Sequence, residues 1–225
     1  MIRADGSKKM MRQSFIAQLE ELNHSVIKMG SILELSTNEM IKALDTLDIE
    51  IASKIIERDD EIDLLEQHIE RECISILAKQ QPLAGDLRKI TSIMKIITDI
   101  ERIADQCADI SEYIIKLHKL PKTKAPLYLY EMIDGVKQMV IDTIDSFVEA
   151  DLDKASRVIS DDDAVDDYFE KITEELSKMM QSDPSKVPQS ICYLMIIKYL
   201  ERMADHSTNI AEWIMFIKTG DLALG

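Results

Sequence analysis

Apolar residues recur every three or four positions along almost the whole chain, which is the spacing of one buried face of an α-helix. No segment shows the strict alternation of apolar and polar residues that marks a half-buried strand. The chain has only 6 Gly and 5 Pro, so few residues interrupt this pattern. The spacing of apolar residues therefore predicts an all-α protein made of long amphipathic helices. One such stripe consists of Phe15, Leu19, Leu22, Val26 and Met29.

Turn signals divide the chain into six predicted helices. Asp48 and Asp151 are residues of the type that caps helix N-termini. The other breaks fall at Pro82 with Gly85, at 121–126 and at 183–188, where prolines cluster. The predicted helices span 11–46, 48–80, 84–119, 126–150, 152–181 and 187–219. We expect residues 1–10 to form a disordered leader ahead of the first helix.

The six predicted helices are two copies of one unit. Residues 36–69 align with 139–172 at a constant shift of 103, and nine of 34 positions are identical. Residues 101–112 (ERIADQCADISE) align with 201–212 (ERMADHSTNIAE) at a shift of 100, with six of 12 identical. A repeat of this length indicates a duplicated domain. Short loops make neighbouring helices antiparallel, so we predict two tandem three-helix bundles, at 11–120 and 126–219.

The charge balance limits the classes of partner. The chain has 27 basic and 42 acidic residues, a formal net charge of -15. Such a surface repels nucleic acid and anionic lipid, so we expect no nucleic-acid binding and membrane association only through a protein partner.

The three cysteines are far apart and lack zinc-site spacing, so we expect free thiols. The first residues lack the apolar core of a secretory signal.

Carboxylates occupy the same positions in both units. Residues four apart share one face of a helix, and this spacing separates Glu101, Asp105 and Asp109 in the third helix. Like charges at this spacing are unfavourable, so facing carboxylates should acquire raised pKa values, remain solvated or bind cations. Hard oxygen ligands favour Mg²⁺, Mn²⁺, Ca²⁺ or iron over a closed tetrahedral zinc site. The other paired acids are Asp59 with Asp63, Asp162 with Asp166, and Glu201 with Asp205.

A second interpretation of these acids is a plain solvated face, because acidic pairs at this spacing are common on helix surfaces. Duplication also copies surface residues, so the two sets are not independent observations. Arg102 and Arg202 lie beside the acids and suit charge pairing with them.

Several segments resemble one known family. They are DLRKI at 86–90, ERIAD at 101–105, ERMAD at 201–205, the opening MRQSFIAQLEEL at 11–22, and the acidic elements at 59–63 and 162–166. Together they are similar to the PhoU family, the accessory proteins of high-affinity phosphate transport. The resemblance covers about residues 11–219 and includes the duplication.

The resemblance implies two three-helix bundles and multinuclear metal sites on the paired acids. The implied metal is a divalent or trivalent ion such as iron, Mn, Mg or Zn, with its identity left open. It also implies a cytoplasmic, dimeric negative regulator of phosphate uptake and of the phosphate-starvation response, which acts between the ATPase of the phosphate ABC transporter and a sensor histidine kinase. The implied metal ligands are Asp59, Asp63, Glu101, Asp105, Asp109, Asp162, Asp166, Glu201 and Asp205.

Two features leave alternatives open. Asn209 stands where the repeat of Asp109 would place an acid, which predicts a weaker second site. A carboxylate-bridged enzyme, either a di-iron oxidase or a phosphatase, is the competing functional class. Di-iron bundles use Glu-x-x-His pairs, and only Glu21 with His24 has that spacing, away from the paired acids. A helical metal-binding scaffold without regulatory function is a third possibility. We expect no catalytic activity.

Overall fold

A computed structural model describes residues 2–80 and 82–221, which form six α-helices and a short 3₁₀ helix at Pro184–Lys186. This described part contains no strand, so the all-α prediction is confirmed. None of its helices is both long and apolar enough to cross a membrane. The α-helices are α1 (Ile2–Thr46), α2 (Ile49–Gln80), α3 (Ala84–His118), α4 (Leu129–Glu149), α5 (Leu152–Ser182) and α6 (Val187–Thr219).

The largest boundary difference lies at the start of the chain. Helix α1 begins at Ile2, so it includes most of the segment 1–10 for which the sequence predicted a disordered leader. No proline interrupts residues 2–46, and extending an existing helix costs far less than nucleating one. Met1 lies outside the described residues. Helix α4 begins at Leu129 instead of 126, because Tyr128 adopts a left-handed conformation with a φ of 65°.

Helices α1 to α3 pack on one another, and so do α4 to α6. The two units meet mainly through α3 and α6. Three contacts show that these helices are antiparallel: Gly220 lies against Arg88, Asn209 bonds Asp99, and Tyr199 faces Asp109. The midpoint of this crossing falls at the repeat-related pair Ala104 and Ala204, both buried. The small side chains allow α3 and α6 to approach closely there.

The buried apolar side chains form one continuous core through both units. Isoleucine dominates α3, where Ile93, Ile97 and Ile103 are each at most 1% exposed. The cysteines are free thiols buried among these side chains, as the sequence predicted. Burial raises the pKa of Cys73 and of Cys107 to about 12, so both are neutral thiols at physiological pH. The amphipathic faces recognised in the sequence are therefore the packed faces.

The turn between the first two helices of each unit is the same in both copies. Leu47 and Ala150, which the shift of 103 relates, both end a helix in the left-handed conformation, with φ values of 51° and 55°. The side chain of the next residue, Asp48 or Asp151, accepts hydrogen bonds from the backbone N–H groups two and three positions further along the chain. The predicted capping role of both aspartates is thus seen in the structure.

Replacing Ala150 by glycine is expected to raise the free energy of unfolding by about 0.5–1 kcal/mol, because glycine adopts a positive φ without the steric cost that alanine bears. Ala150 is exposed, so little packing is lost. Chemical denaturation measures the change. The matched control is Ala155→Gly inside α5, where the buried residue is helical and the substitution is expected to destabilise by about 1 kcal/mol. A variant Ala150→Gly that is no more stable than wild type contradicts this prediction.

Candidate metal centre

Helices α2 and α3 bring three aspartates together in the first unit. Asp59 and Asp63 lie one turn apart on α2 and face Asp105 on α3. One carboxylate oxygen of each lies within 4.8 Å of the other two. All three side chains are partly buried. We call these residues the first carboxylate cluster.

Crowding and burial perturb the acids at this cluster. Burial raises the pKa of Asp59 to about 7, and the negative charges of Asp105 and Asp63 contribute further. Burial, followed by the charge of Asp105, likewise raises the pKa of Asp63. Glu101 lies beside the cluster, and burial together with the charge of Asp105 raises its pKa to about 7. The site therefore carries negative charge that the protein itself compensates poorly.

Several carboxylate oxygens at this site have no hydrogen-bond partner. Oδ1 of Asp59, Oδ1 of Asp63 and Oε2 of Glu101 are each shielded from solvent and unbonded. Arg102 offers partial compensation, with Nη1 at 3.2 Å from Asp105 Oδ2 and Nε at 3.4 Å from Glu101 Oε2. The Arg102 side chain is half exposed, which weakens these pairs. A buried oxygen without a partner is costly, and a bound cation removes that cost.

The donor set fits a hard cation. Asp59, Asp63 and Asp105 would supply carboxylate oxygens directly, and the charge of Glu101, which interacts with Asp105 and Asp63, would add to the attraction for a cation. The cluster has no histidine or cysteine among its three members, which distinguishes it from a zinc site built on nitrogen and sulfur. Carboxylates suit magnesium, calcium, manganese and iron. Bound metal would supply positive charge that ties α2 to α3.

Asp109 is separate from this cluster. Its carboxyl faces α6, where it interacts with the Tyr199 side chain and lies near Arg202. Burial and the charges of Glu112 and Asp105 raise its pKa, while the Tyr199 hydrogen bond lowers it. In the described structure the residue therefore contributes to the contact between the two units.

The acids of the second unit lie on the corresponding faces of α5 and α6. Burial and the charge of Asp205 raise the pKa of Asp162 to about 6. Burial is also the main cause of the raised pKa of Glu201 and of Asp205. Asp166 and Asp205 are exposed, and within the described chain these four acids do not converge as tightly as the first carboxylate cluster. The two copies therefore differ in how far the acids are enclosed.

Sequence reasoning missed a contact that explains Asn209. Nδ1 of His206 lies 2.8 Å from Oδ1 of Asp99, and Nδ2 of Asn209 donates to the same oxygen at 3.5 Å. The shift of 100 relates Asp99 to Tyr199 and Asp109 to Asn209. At both ends of the α3–α6 interface the acid therefore comes from α3, as Asp99 at one end and Asp109 at the other, and comparison of positions 99 and 199 could have indicated this difference between the two units.

The Glu-x-x-His pair of the enzyme alternative lies elsewhere on α1. Nδ1 of His24 bonds the backbone carbonyl of Glu20 in its own helix at 2.9 Å. Glu21 lines a surface groove with His68 and Glu72. Neither residue joins the first carboxylate cluster, so the described structure does not assemble the histidine–carboxylate set that di-iron oxidases use.

Comparison with known proteins gives a consistent result over nearly the whole chain. The family model for the PhoU domain matches residues 26–114 and 129–214. The phosphate-specific transport system accessory protein PhoU homolog of Clostridium acetobutylicum is 39% identical over 212 residues, which is 94% of this chain and 97% of that protein. The Escherichia coli K12 accessory protein PhoU is 32% identical over 214 residues, covering 94% and 88% of the two chains.

Two crystal structures have the same fold. That of PhoU from Pseudomonas aeruginosa superimposes with a TM-score of 0.90 at 32% identity, covering 92% of this chain and all of the other. That of the phosphate transport system regulatory protein PhoU from Streptococcus pneumoniae gives 0.86 at 30% identity, covering 93% and 99%. Both therefore support the all-helical architecture.

Proposed function

The chain belongs to the PhoU family, and from this premise we propose that it is an accessory regulator of a phosphate-specific transport system. The observation that carries the proposal is that the family model matches both units. Similarity to phosphate transport accessory proteins extends over more than nine-tenths of the chain. The similarity thus includes the unit–unit interface as well as the single bundles.

The proposed action is that of a non-catalytic adaptor. The protein is a cytoplasmic negative regulator that contacts the ATPase of the phosphate ABC transporter and a sensor histidine kinase, and works as a homodimer. Its acidic surface suits partners that present basic residues, since opposite charges speed and orient association. Contact with the membrane is through the transporter.

Metal binding belongs to the same proposal. A cation on Asp59, Asp63 and Asp105, beside Glu101, would neutralise the repulsion of the first carboxylate cluster and hold α2 against α3. The cation is iron, Mn, Mg or Zn, with the donor set favouring the metals that prefer oxygen. The acids Asp162, Asp166, Glu201 and Asp205 form a second, weaker site, because two of them are exposed. Metal would then fix the relative positions of helices whose outer surfaces meet the partners.

Deletion of this protein in its own host is expected to raise the expression of phosphate-starvation genes in phosphate-replete medium, because a negative regulator is lost. A reporter fused to a phosphate-starvation promoter measures the change, and the wild-type gene supplied in trans should restore repression. Purification of the tagged protein from membranes at high phosphate should recover the transporter ATPase and the histidine kinase. A reporter that responds equally to phosphate with and without the protein contradicts the regulatory role.

The same purified protein tests the enzyme class. Metal-loaded protein is expected to show no hydrolysis of phosphate monoesters and no oxygen uptake above that of Glu101→Ala. Either activity, present in wild type and lost in Glu101→Ala, would replace the adaptor with a metalloenzyme.

A further inference from the structure

A cavity of about 470 Å³ opens where the two units meet, at the beginning of α3 and the end of α6. Its apolar lining includes Ile27, Phe147 and Ile214. Three cations also line it: Arg88 and Lys89 from the first turns of α3, and Lys218 from the last turn of α6. We call it the basic pocket. It is separate from the carboxylate clusters, which are lined by other residues.

The three cations of the basic pocket lack carboxylate partners, although the Arg88 guanidinium lies 5.9 Å from the centroid of the Phe216 ring. None of them forms an ion pair within the described part of the chain, although the chain has 42 acidic residues. Nε of Arg88 is shielded from solvent without a hydrogen-bond partner. Burial and then the charge of Lys218 lower the pKa of Lys89, while Asp86 acts in the opposite direction. Two lysines that repel each other across a concave surface indicate a place for an anion.

The duplication provides an internal comparison for this pocket. Exchange of the two units maps the beginning of α3 onto the beginning of α6, and the end of α6 onto the end of α3. If the two units were identical in sequence, equivalent cations would lie at the other end of the α3–α6 crossing as well. The counterparts of Arg88, Lys89 and Lys218 are Pro188, Gln189 and His118.

The counterpart residues close their end of the crossing with hydrogen bonds. Nε2 of Gln189 donates to the carbonyl oxygen of Pro121 at 3.2 Å. Nδ1 of His118 lies 2.9 Å from the carbonyl oxygen of Leu47. One ring nitrogen of His118 and the amide nitrogen of Gln189 thus bond backbone carbonyls there, whereas none of the three cations of the basic pocket pairs with a carboxylate of the described chain.

The apolar lining residues also differ between the two ends of the crossing. Ile27 and Val148, which line the basic pocket, correspond at the shift of 103 to Tyr130 and Asp45. The hydroxyl of Tyr130 donates to Oδ1 of Asp45 at 3.4 Å. Side chains therefore bridge that end of the crossing, whereas the end that carries Arg88, Lys89 and Lys218 is open.

We propose that the basic pocket binds a nucleoside phosphate that carries at least two phosphate groups. Three positive charges match a multiply charged anion, and Arg88 offers the planar fork of donors that suits phosphate. The ring of Phe147 gives a surface for a base to stack on, and the amide of Asn23 can hydrogen-bond its edge. A volume of about 470 Å³ is in the range of small-molecule sites. This inference does not depend on the proposed regulatory function.

The test is direct binding of ADP and ATP to the full chain by isothermal titration calorimetry. EDTA is present throughout, so that a metal-bridged nucleotide on the carboxylate clusters is excluded. Lys218→Gln and Arg88→Gln are each expected to weaken binding about tenfold, because each removes one charged contact to phosphate. The matched control is Lys116→Gln, which removes the same charge from a lysine at the other end of α3 that is already paired with Glu112. It is expected to leave binding unchanged.

Binding of adenosine alone and of inorganic phosphate alone identifies which parts of the nucleotide the basic pocket recognises. Adenosine and inorganic phosphate are each expected to bind more weakly than ADP, because each lacks half of the contacts. The proposal is overturned if millimolar ADP and ATP do not bind wild type, or if both pocket variants bind as well as wild type. It is also overturned if phosphate binds as tightly as ADP, or if only an apolar anion such as dodecanoate binds.

A measurement on wild type alone guards against variants that misfold. ADP is expected to protect Lys89 and Lys218 from reductive methylation, as followed by peptide mass spectrometry, and to leave the exposed Lys171 unprotected. If ADP does not reduce the methylation of Lys89 and Lys218, it does not bind in the basic pocket.

Discussion

Asp105→Asn is expected to abolish most of the stabilisation that metal gives to this protein. Asp105 is the one α3 member of the first carboxylate cluster and the acid that both Asp59 and Asp63 face. A ligand present at a hundredfold excess over its Kd stabilises the folded state by about 2.7 kcal/mol. For a chain of this size that corresponds to an increase in Tm of roughly 5–10 °C. Calorimetry of wild type and variant, each with and without Mn²⁺ after chelator treatment, measures the increase.

Two other substitutions make this result specific. Asp205→Asn removes the repeat-related acid of the second unit and is expected to leave most of the increase, because that site is more exposed. Asp167→Asn removes an exposed acid that pairs with Lys171 and is expected to leave all of it. Asn is nearly the same size as Asp, so the metal-free variant should keep its helical circular dichroism. An unchanged metal effect in folded Asp105→Asn would rule out the first carboxylate cluster as the main metal site.

The metal-free protein is expected to lose stability as the pH rises from 5 to 8. The pKa of Asp59 is about 7 in the folded chain, against an ordinary value of 3.8. Between these values the folded state binds more protons than the unfolded state, so the free energy of unfolding falls with rising pH. The loss of stability begins as the pH rises above the ordinary pKa of an aspartate, and it is complete once the pH exceeds the pKa that Asp59 has in the folded chain. Asp59 is partly buried, and solvent screening leaves an effect on the order of 1–2 kcal/mol.

Asp59→Asn isolates this effect, because it removes the titrating group and the repulsion together. Urea denaturation in EDTA at pH 5 and pH 8 should show a smaller loss of stability for Asp59→Asn than for wild type. Part of the loss should remain in the variant, since the pKa of Glu101 is also raised to about 7. Asp167→Asn should behave as wild type. An identical pH dependence for wild type and Asp59→Asn would show that the carboxyl of Asp59 ionises as easily in the folded chain as in the unfolded chain.

The fold was largely predictable, because helical periodicity and duplication are local properties of the sequence. Five predicted helices have both ends within three residues of the observed ends, and Asp48 and Asp151 cap their helices as expected. The start of α1 was not predicted, since no breaker or capping residue near residue 10 marks a helix end. A helix end can be located from the sequence only where a capping or breaking residue marks it.

The candidate site was predictable only in part. Spacing of four placed Asp59 with Asp63, and Glu101 with Asp105, on single helix faces, and the structure turns those faces toward each other. The same spacing grouped Asp109 with Asp105, yet Asp109 faces Tyr199 and Arg202 of the other unit. Helical spacing says which residues share a face, but a wide face can contact two different neighbours.

The sequence by itself therefore determined the helices, their amphipathic faces, the duplication and the residue types of the carboxylate clusters, because each depends on neighbours close in the chain. Only the tertiary structure decided that the first carboxylate cluster is tighter than its copy. It also decided that three cations without a carboxylate partner line an open cavity at one end of the α3–α6 crossing, while hydrogen bonds bridge the other end. These features depend on how residues about a hundred positions apart meet. Two copies of one unit have similar local preferences, and it is packing between them that makes their ends different.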